Sequence, residues 1–279
     1  MSSGSVVMKT HRRLFPNLPE VRRLGLATRG NTHLPAEAIL HAYERGIRYW
    51  NWCGYEDGMS RAVGELGTDR GKVILATQIQ SSGRDSLLRE VESFLDLLKT
   101  DRIDIATIYY LETREEWTRL REPGGVLETL NELQVEGTIG KIGITSHRRR
   151  LAAEIAERGE TDLLMIRYNA AHRGAETEVF PIASENQIPV VAYTCLRWGT
   201  LIESQDSGNS DHRVPTAAEC YRFVLSNPAV SVALMAPNNR QELEENLTLL
   251  DDWRPLTGER LQAMREWGDW VHDHAGSFP

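Results

Sequence analysis

A short apolar run followed by an amphipathic segment recurs eight times between Leu24 and the C-terminal region, and few architectures accept such a pattern. The apolar runs are LGLAT (Leu24 to Thr28), IRYWNW (Ile47 to Trp52), VILATQI (Val73 to Ile79), IDIATIYY (Ile103 to Tyr110), IGKIGITS (Ile139 to Ser146), LLMIRYN (Leu163 to Asn169), VVAYTCL (Val190 to Leu196) and VSVALMA (Val230 to Ala236). Their length and their β-branched and aromatic content predict strands. Segments such as Pro35 to Arg45, Ser86 to Lys99, Gly125 to Gly137 and Arg148 to Arg158 carry apolar residues three and four apart, the spacing of a one-sided helix. Strands that alternate with helices pair in parallel through right-handed crossovers. Eight such units predict an α/β fold, a closed (β/α)8 TIM barrel, with Thr257 to His274 as an extra C-terminal helix. An open doubly wound sheet is the alternative, but no GxGxxG follows the first strand and no GxxxxGK[ST] occurs.

The chain has 279 residues, 41% hydrophobic and 26% charged, with no shift of composition along its length, so one domain over residues 1–279 is expected. A net charge of −8 argues against a nucleic-acid surface, which needs a basic stripe. Cys53, Cys195 and Cys220 are odd in number and widely spaced, as expected of reduced thiols in a cytoplasmic protein. No run of about 18 apolar residues predicts a membrane span. The first residues, MSSGSVVMKTHRRLFPNLPE, lack the apolar core of a signal peptide and read as a short extended lead-in.

Parallel barrels place working side chains where strands end and loops begin. GIRYWNWCGYEDG, Gly46 to Gly58, is such a place: a strand that stops at a glycine and hands over Cys53, Tyr55 and two carboxylates. His147 follows the fifth strand, and His172 stands three residues beyond Asn169 at the end of the sixth. Arg29, Arg167 and Arg197 fall at strand ends as well, and guanidinium groups at one mouth favour an anionic small-molecule substrate. Arg167 pairing with a helix carboxylate outside the barrel is the bland alternative. The polar stretch Glu203 to Pro215 reads as a loop over the mouth, and Trp267 and Trp270, three apart, as core packing. His147, His172 and Glu112 form no metal-binding motif, so no metal is expected.

Taken in order, GIRYWNWCGYEDGMSRAVGEL, KVILATQ, TDRIDIATIYY, GTIGKIGITS, LLMIRYNAAHRGAE, VVAYTCLRWGTL and NRQELEENL resemble the successive strand motifs and the cofactor-side helix of the aldo-keto reductases. The resemblance covers almost the whole chain. It implies carbonyl reduction with NADP(H) or NAD(H) by an Asp, Tyr, Lys and His set. Tyr55 matches the tyrosine, but Asn51 stands at the Asp position, Gln78 at the Lys and Tyr109 at the His, and the segment from Asn51 to Tyr55 is one residue short. Without the ammonium a phenol is a poor acid near neutral pH, so the resemblance implies an altered proton relay, with Asn51 and Gln78 as a neutral amide pair. On the cofactor side Ser146 and Tyr193 match carboxamide and stacking positions, while His147 and Met165 replace an Asn and a Gln. Leu196 and Gly199 match the pyrophosphate loop and Glu245 and Asn246 the adenine end. Where a 2′-phosphate would be gripped stand Pro237, Asn238, Asn239 and Glu242, with Arg240 as the nearby cation.

Three functions are expected in that order: an aldo-keto-type reductase of a small carbonyl compound; a lyase, isomerase or hydrolase on the same barrel acting on an anionic substrate through Tyr55, Tyr109 and His147; and a non-catalytic relative that binds a ligand or docks a partner through Trp117 and Trp253, with burial of either tryptophan the equal alternative. A homo-oligomer is open in each.

Overall fold

The computed structural model describes residues 10–28, 34–203 and 213–276. Arg29 and most of the Glu203 to Pro215 stretch lie outside the described residues. Two short strands, β1 (His11–Arg12) and β2 (Val21–Arg22), pair antiparallel ahead of the barrel. The barrel strands are β3 (Leu24–Ala27), β4 (Tyr49–Trp52), β5 (Ile74–Ile79), β6 (Ile103–Ile108), β7 (Ile139–Ser146), β8 (Leu163–Arg167), β9 (Val190–Tyr193) and β10 (Val230–Met235). They close in sequence order, β10 pairing with β3, and every pairing is parallel. The helices are α1 (Ala36–Glu44), α2 (Gly58–Glu65), α3 (Arg84–Leu98), α4 (Arg114–Leu120), α5 (Val126–Glu136), α6 (Arg149–Glu157), α7 (Ala175–Glu178), α8 (Phe180–Glu185), α9 (Ala217–Leu225), α10 (Arg240–Leu247) and α11 (Gly258–His274).

Alternation along each strand sorts the core into two clusters. Trp50, Trp52, Leu75, Ile103, Ile144, Leu164 and Ile166 face outward with the apolar stripes of the helices, including Ile39, Leu87 and Leu130. Tyr49, Ile74, Ala76, Ile105, Leu163, Met165, Val191, Tyr193, Val232 and Leu234 fill the interior. Each fully buried large side chain contributes about 1.5–3 kcal/mol, so the barrel is a packed core rather than a pore. Gly25 is required there, because a Cβ at that position would lie 2.8 Å from a Val232 methyl.

Two expectations are corrected. The described part of the N-terminal lead-in, from residue 10, forms a hairpin with Val21 and Arg22, whose Leu14, Phe15, Leu18 and Val21 join the interior cluster and stopper the end of the barrel where the strands begin. The strand runs also overshoot at their C-terminal ends: Tyr109, Tyr110, Tyr168, Asn169, Thr194, Cys195 and Leu196 lie beyond the last strand residue. Tyr110 (φ 44°) and Thr194 (φ 51°) adopt left-handed backbone, which ends an extended strand at once. Strain of that kind gathers at functional sites.

Candidate active site at the strand-end mouth

Strand register decides which polar side chains reach the mouth. Asn51 pairs with Ala76, Gln78 with Thr107, Thr145 with Met165, and Arg167 with Tyr193. Paired residues of a parallel sheet share a face, so Asn51, Gln78, Thr145 and Arg167 point inward beside the interior cluster. Arg167 therefore belongs to the mouth, not to the outer surface.

The expected amide pair does not form. Asn51 Nδ2 lies 3.8 Å from Cys53 Sγ, and Asn51 Oδ1 is buried without a partner among the described residues. Both amides, Asn51 and Gln78, are buried. Cys53 donates its thiol to the Thr28 carbonyl, which ties β4 to β3. Tyr55 is 63% exposed, and its carbonyl accepts from Trp52 Nε1 at 2.8 Å. The Asp57 and Ser60 capping box starts α2 immediately afterwards.

The aromatic centre of the mouth is on the β6 to β9 side instead. Tyr109 and Tyr110 have ring centroids 4.0 Å apart, Tyr110 and His147 4.4 Å, and His147 and Tyr193 5.9 Å. His147 Nδ1 is 3.3 Å from Glu112 Oε1, and the same oxygen accepts from the His147 backbone amide at 2.8 Å. Burial lowers the His147 pKa most, the Glu112 carboxylate opposes that, and Arg167 adds to the lowering. The imidazole is thus mainly neutral at pH 7. Burial holds the Tyr193 phenol well above its ordinary value.

Other expected site residues have structural partners. Ser146 is fully buried; its hydroxyl donates to the Leu111 carbonyl at 2.6 Å and accepts from the Arg148 amide at 3.0 Å. Arg197, expected at the substrate, is buried and donates to the carbonyls of Ala275 and Gly276 at 3.3 and 2.8 Å, anchoring the chain after α11. His172 is held by Asn169 Oδ1, 3.2 Å from its Nδ1, and packs against His272. Leu196 and Gly199 form the turn after β9, where Arg197, Trp198 and Gly199 all have positive φ. At the start of α10, Asn239 accepts from the Glu242 amide at 2.9 Å, while Asn238 and Asn239 both donate to the Glu242 carboxylate. Arg240 donates to Glu244 at 2.7 Å, and exposed Glu245 accepts from Gln241. Asn246 is buried with Oδ1 unpartnered among the described residues.

Glu112 and Tyr110 are the mouth residues that the motifs did not single out for chemistry. A carboxylate and two consecutive tyrosines directly after the strand IDIATI were the available signal. Of the two tryptophans left open between docking anchor and core, Trp117 is buried, and Trp253 is partly buried beneath the Arg23 guanidinium, 5.6 Å from its ring centroid. Trp267 and Trp270 stack at 5.3 Å, and Trp267 is in the core as expected. Among the described residues no helix is long and apolar enough to cross a membrane.

A closed eight-stranded parallel barrel with an aromatic and imidazole cluster at its strand ends defines a (β/α)8 protein of the enzyme-bearing kind. The chain belongs to the Aldo/keto reductase family, whose profile matches residues 24–268, and this places it among oxidoreductases. An NADH-specific methylglyoxal reductase of Escherichia coli is 32% identical over 117 residues, 42% of this chain but only 35% of that protein. YqkF, an uncharacterized oxidoreductase of Bacillus subtilis, is 25% identical across 87% of this chain and 90% of its own length. In fold the chain resembles an aldo-keto reductase of Bacillus halodurans in its holo form, with TM-score 0.74, 20% identity, and 92% and 96% of the two chains covered. It also resembles an aldo-keto reductase of Klebsiella pneumoniae in complex with NADPH, with TM-score 0.73, 21% identity, and 90% and 92% covered.

Proposed function

We propose that this chain, working as one domain, is a nicotinamide-dependent oxidoreductase that reduces a small carbonyl compound through an altered proton relay. The observation that carries the reading is the half-buried tyrosine and imidazole cluster at the mouth of a barrel from this family. Two orphaned buried groups support a dinucleotide: Asn246 Oδ1 at the adenine end and the Tyr193 hydroxyl at the other. Both lack a partner among the described residues, and a buried polar atom left so is costly unless a ligand completes it. Tyr193 would stack on the nicotinamide, the positive-φ turn from Leu196 to Gly199 would pass its pyrophosphate, and Asn246 would meet the adenine. When bound, that cofactor supplies the hydride.

NAD(H) is preferred over NADP(H) in this reading. A 2′-phosphate would meet the Glu242 carboxylate bound by Asn238 and Asn239, and Arg240 is already paired with Glu244.

We assign the proton to His147. Glu112 orients the ring through Nδ1, and the protonated imidazole gives its proton to the carbonyl oxygen as hydride reaches the carbon, yielding an alcohol. Tyr55, exposed at the rim, Tyr109, and the neutral amides Asn51 and Gln78 then shape the mouth rather than charge it.

Calorimetric titration of the purified protein with NADH and with NADPH tests the reading. Micromolar binding, tighter for NADH and weakened about tenfold by Tyr193→Ala, is expected. Reduction should quicken as pH falls below the ordinary imidazole value of 6.5, since the His147 pKa lies lower and the donor is the protonated form. His147→Asn should remove that dependence. No binding at millimolar NADH would overturn the cofactor reading and favour non-redox chemistry, an alternative whose specific support is that the Ser146 hydroxyl is already engaged.

A further inference from the structure

Glu112 and His147 stand on two different loops, and main-chain bonds fasten one loop to the other. The Leu111 amide donates to the Thr145 carbonyl at 2.8 Å, and the Ser146 hydroxyl donates to the Leu111 carbonyl at 2.6 Å. The far side of Glu112 is held from α4. Glu116 Oε2 accepts from the amides of Glu112 and Thr113, each at 3.0 Å, while the Glu116 amide donates to Thr113 Oγ1 at 3.1 Å. A capping box uses only the carboxylate bond to the residue just before the helix. The box at the start of α9 is of that form: Glu219 Oε2 accepts from the Thr216 amide at 2.8 Å, and Glu219 Oε1 is taken by Arg213. Glu116 reaches one residue further back, to the amide of the residue whose carboxylate lies on His147. That amide is foremost among the groups that hold the Glu116 carboxyl below its ordinary value.

We infer that Glu116 is a positioning residue for the proton donor: by fixing the main chain of Glu112 it keeps that carboxylate on His147 Nδ1, which leaves Nε2 as the nitrogen that exchanges the proton. The role of donor rests on the oxidoreductase reading; the fastening does not. Several charged or titratable groups face the ring: Glu112 and Tyr110 from the loop after β6, Arg167 from β8, Tyr193 from β9, and Arg148 from its own loop. Burial, Arg167 and Arg148 favour the neutral ring, and Glu112 favours the charged one. A Glu112 carboxylate released from its place would therefore let the His147 pKa fall further.

Proton NMR titration of the His147 imidazole tests this in the full chain without dinucleotide, its signal picked out among those of the eight histidines by its loss in His147→Asn. Glu116→Ala should lower the midpoint by about half a pH unit. Glu116→Asp, gentler to the fold because it keeps the charge at the helix start, should lower it by less. Glu116→Gln, whose amide oxygen can still accept from both main-chain amides, should leave it in place. In Glu112→Gln the midpoint should fall too, and adding Glu116→Ala should bring no further fall, because Glu116 acts through Glu112. Thr113→Ala removes the other half of the α4 cap and separates positioning from helix stability: it should lower the urea midpoint much as Glu116→Ala does while leaving the imidazole midpoint unchanged. An unmoved imidazole in Glu116→Ala, an equal shift in Thr113→Ala, or a full additional shift in the double variant would each overturn the inference. The reading it rests on fails separately. An imidazole that shifts as expected in a chain that binds no NADH keeps the fastening without the donor, and a chain that reduces carbonyls with NADH while the imidazole stays unmoved does the reverse.

Discussion

His172 sits at the end of β8 where folding strips water from its ring and surrounds it with positive charge. Burial, then Arg167, Arg197, His272 and Arg149, hold its pKa down to about 4, against an ordinary 6.5. Between those two values the unfolded chain holds a proton that the folded chain does not, so stability rises with pH across that window. The protein is therefore expected to lose stability as pH falls from 6.5 towards 4, and His172→Gln should flatten that slope. Urea midpoints at pH 7 and pH 5 for both proteins check it; identical slopes would contradict the assignment. His147 differs in kind: Glu112 opposes its desolvation, so its charge state answers to a partner that a ligand in the mouth would also feel.

Among the elements, α11 docks against the segments that follow β8 and β9, and its docking is specific. Trp267 Nε1 donates to the Leu201 carbonyl at 2.9 Å, Arg173 reaches the Arg265 carbonyl and Asp269, Arg265 pairs with Glu176, and Arg197 holds Ala275 and Gly276. These join the helix and the residues just after it to the segments that follow β8 and β9, α7 included. The contact is close enough that only glycine fits at 268, because a Cβ there would stand 2.1 Å from the Ala170 carbonyl oxygen. Gly268→Ala should cost about 1–3 kcal/mol by overpacking and should change the fluorescence of the stacked Trp267 and Trp270 pair. An unshifted denaturation midpoint with unchanged emission would show that the helix is more loosely held than its contacts indicate.

At the scale of the whole molecule the barrel is sealed at one end and polar at the other. The hairpin of β1 and β2 presses Leu14, Phe15, Leu18 and Val21 into the interior, and Lys141 stands 5.1 Å from the Phe15 ring centroid. Removing residues 1–20 strips Leu14, Phe15 and Leu18 from that end, a loss of several kcal/mol at about 1.5–3 kcal/mol per large side chain. The shortened chain should unfold at lower urea and bind more of a hydrophobic dye than the full chain. Equal stability would mean that the stopper is dispensable and that the strand layers alone close the core.

The sequence by itself determined the eight strands, their helical partners and the order in which they close. That information is local: a period of two or of 3.6 states which side chains share a face, and Gly125 and Gly137 bracket α5 at its caps as the pattern indicates. It also located the mouth, because strand ends carry the loops. Only the tertiary structure decided which polar groups meet there. Tyr55 turned outward, Ser146 and Arg197 were taken by main-chain carbonyls, and the hairpin became a stopper, while Glu112, His147 and Tyr110 came together from two strand ends distant in sequence. The physical reason is that a side chain's partner at a strand end depends on left-handed turns such as those at Tyr110 and Thr194, and on long-range packing such as α11 against its loops, neither of which leaves a periodic trace.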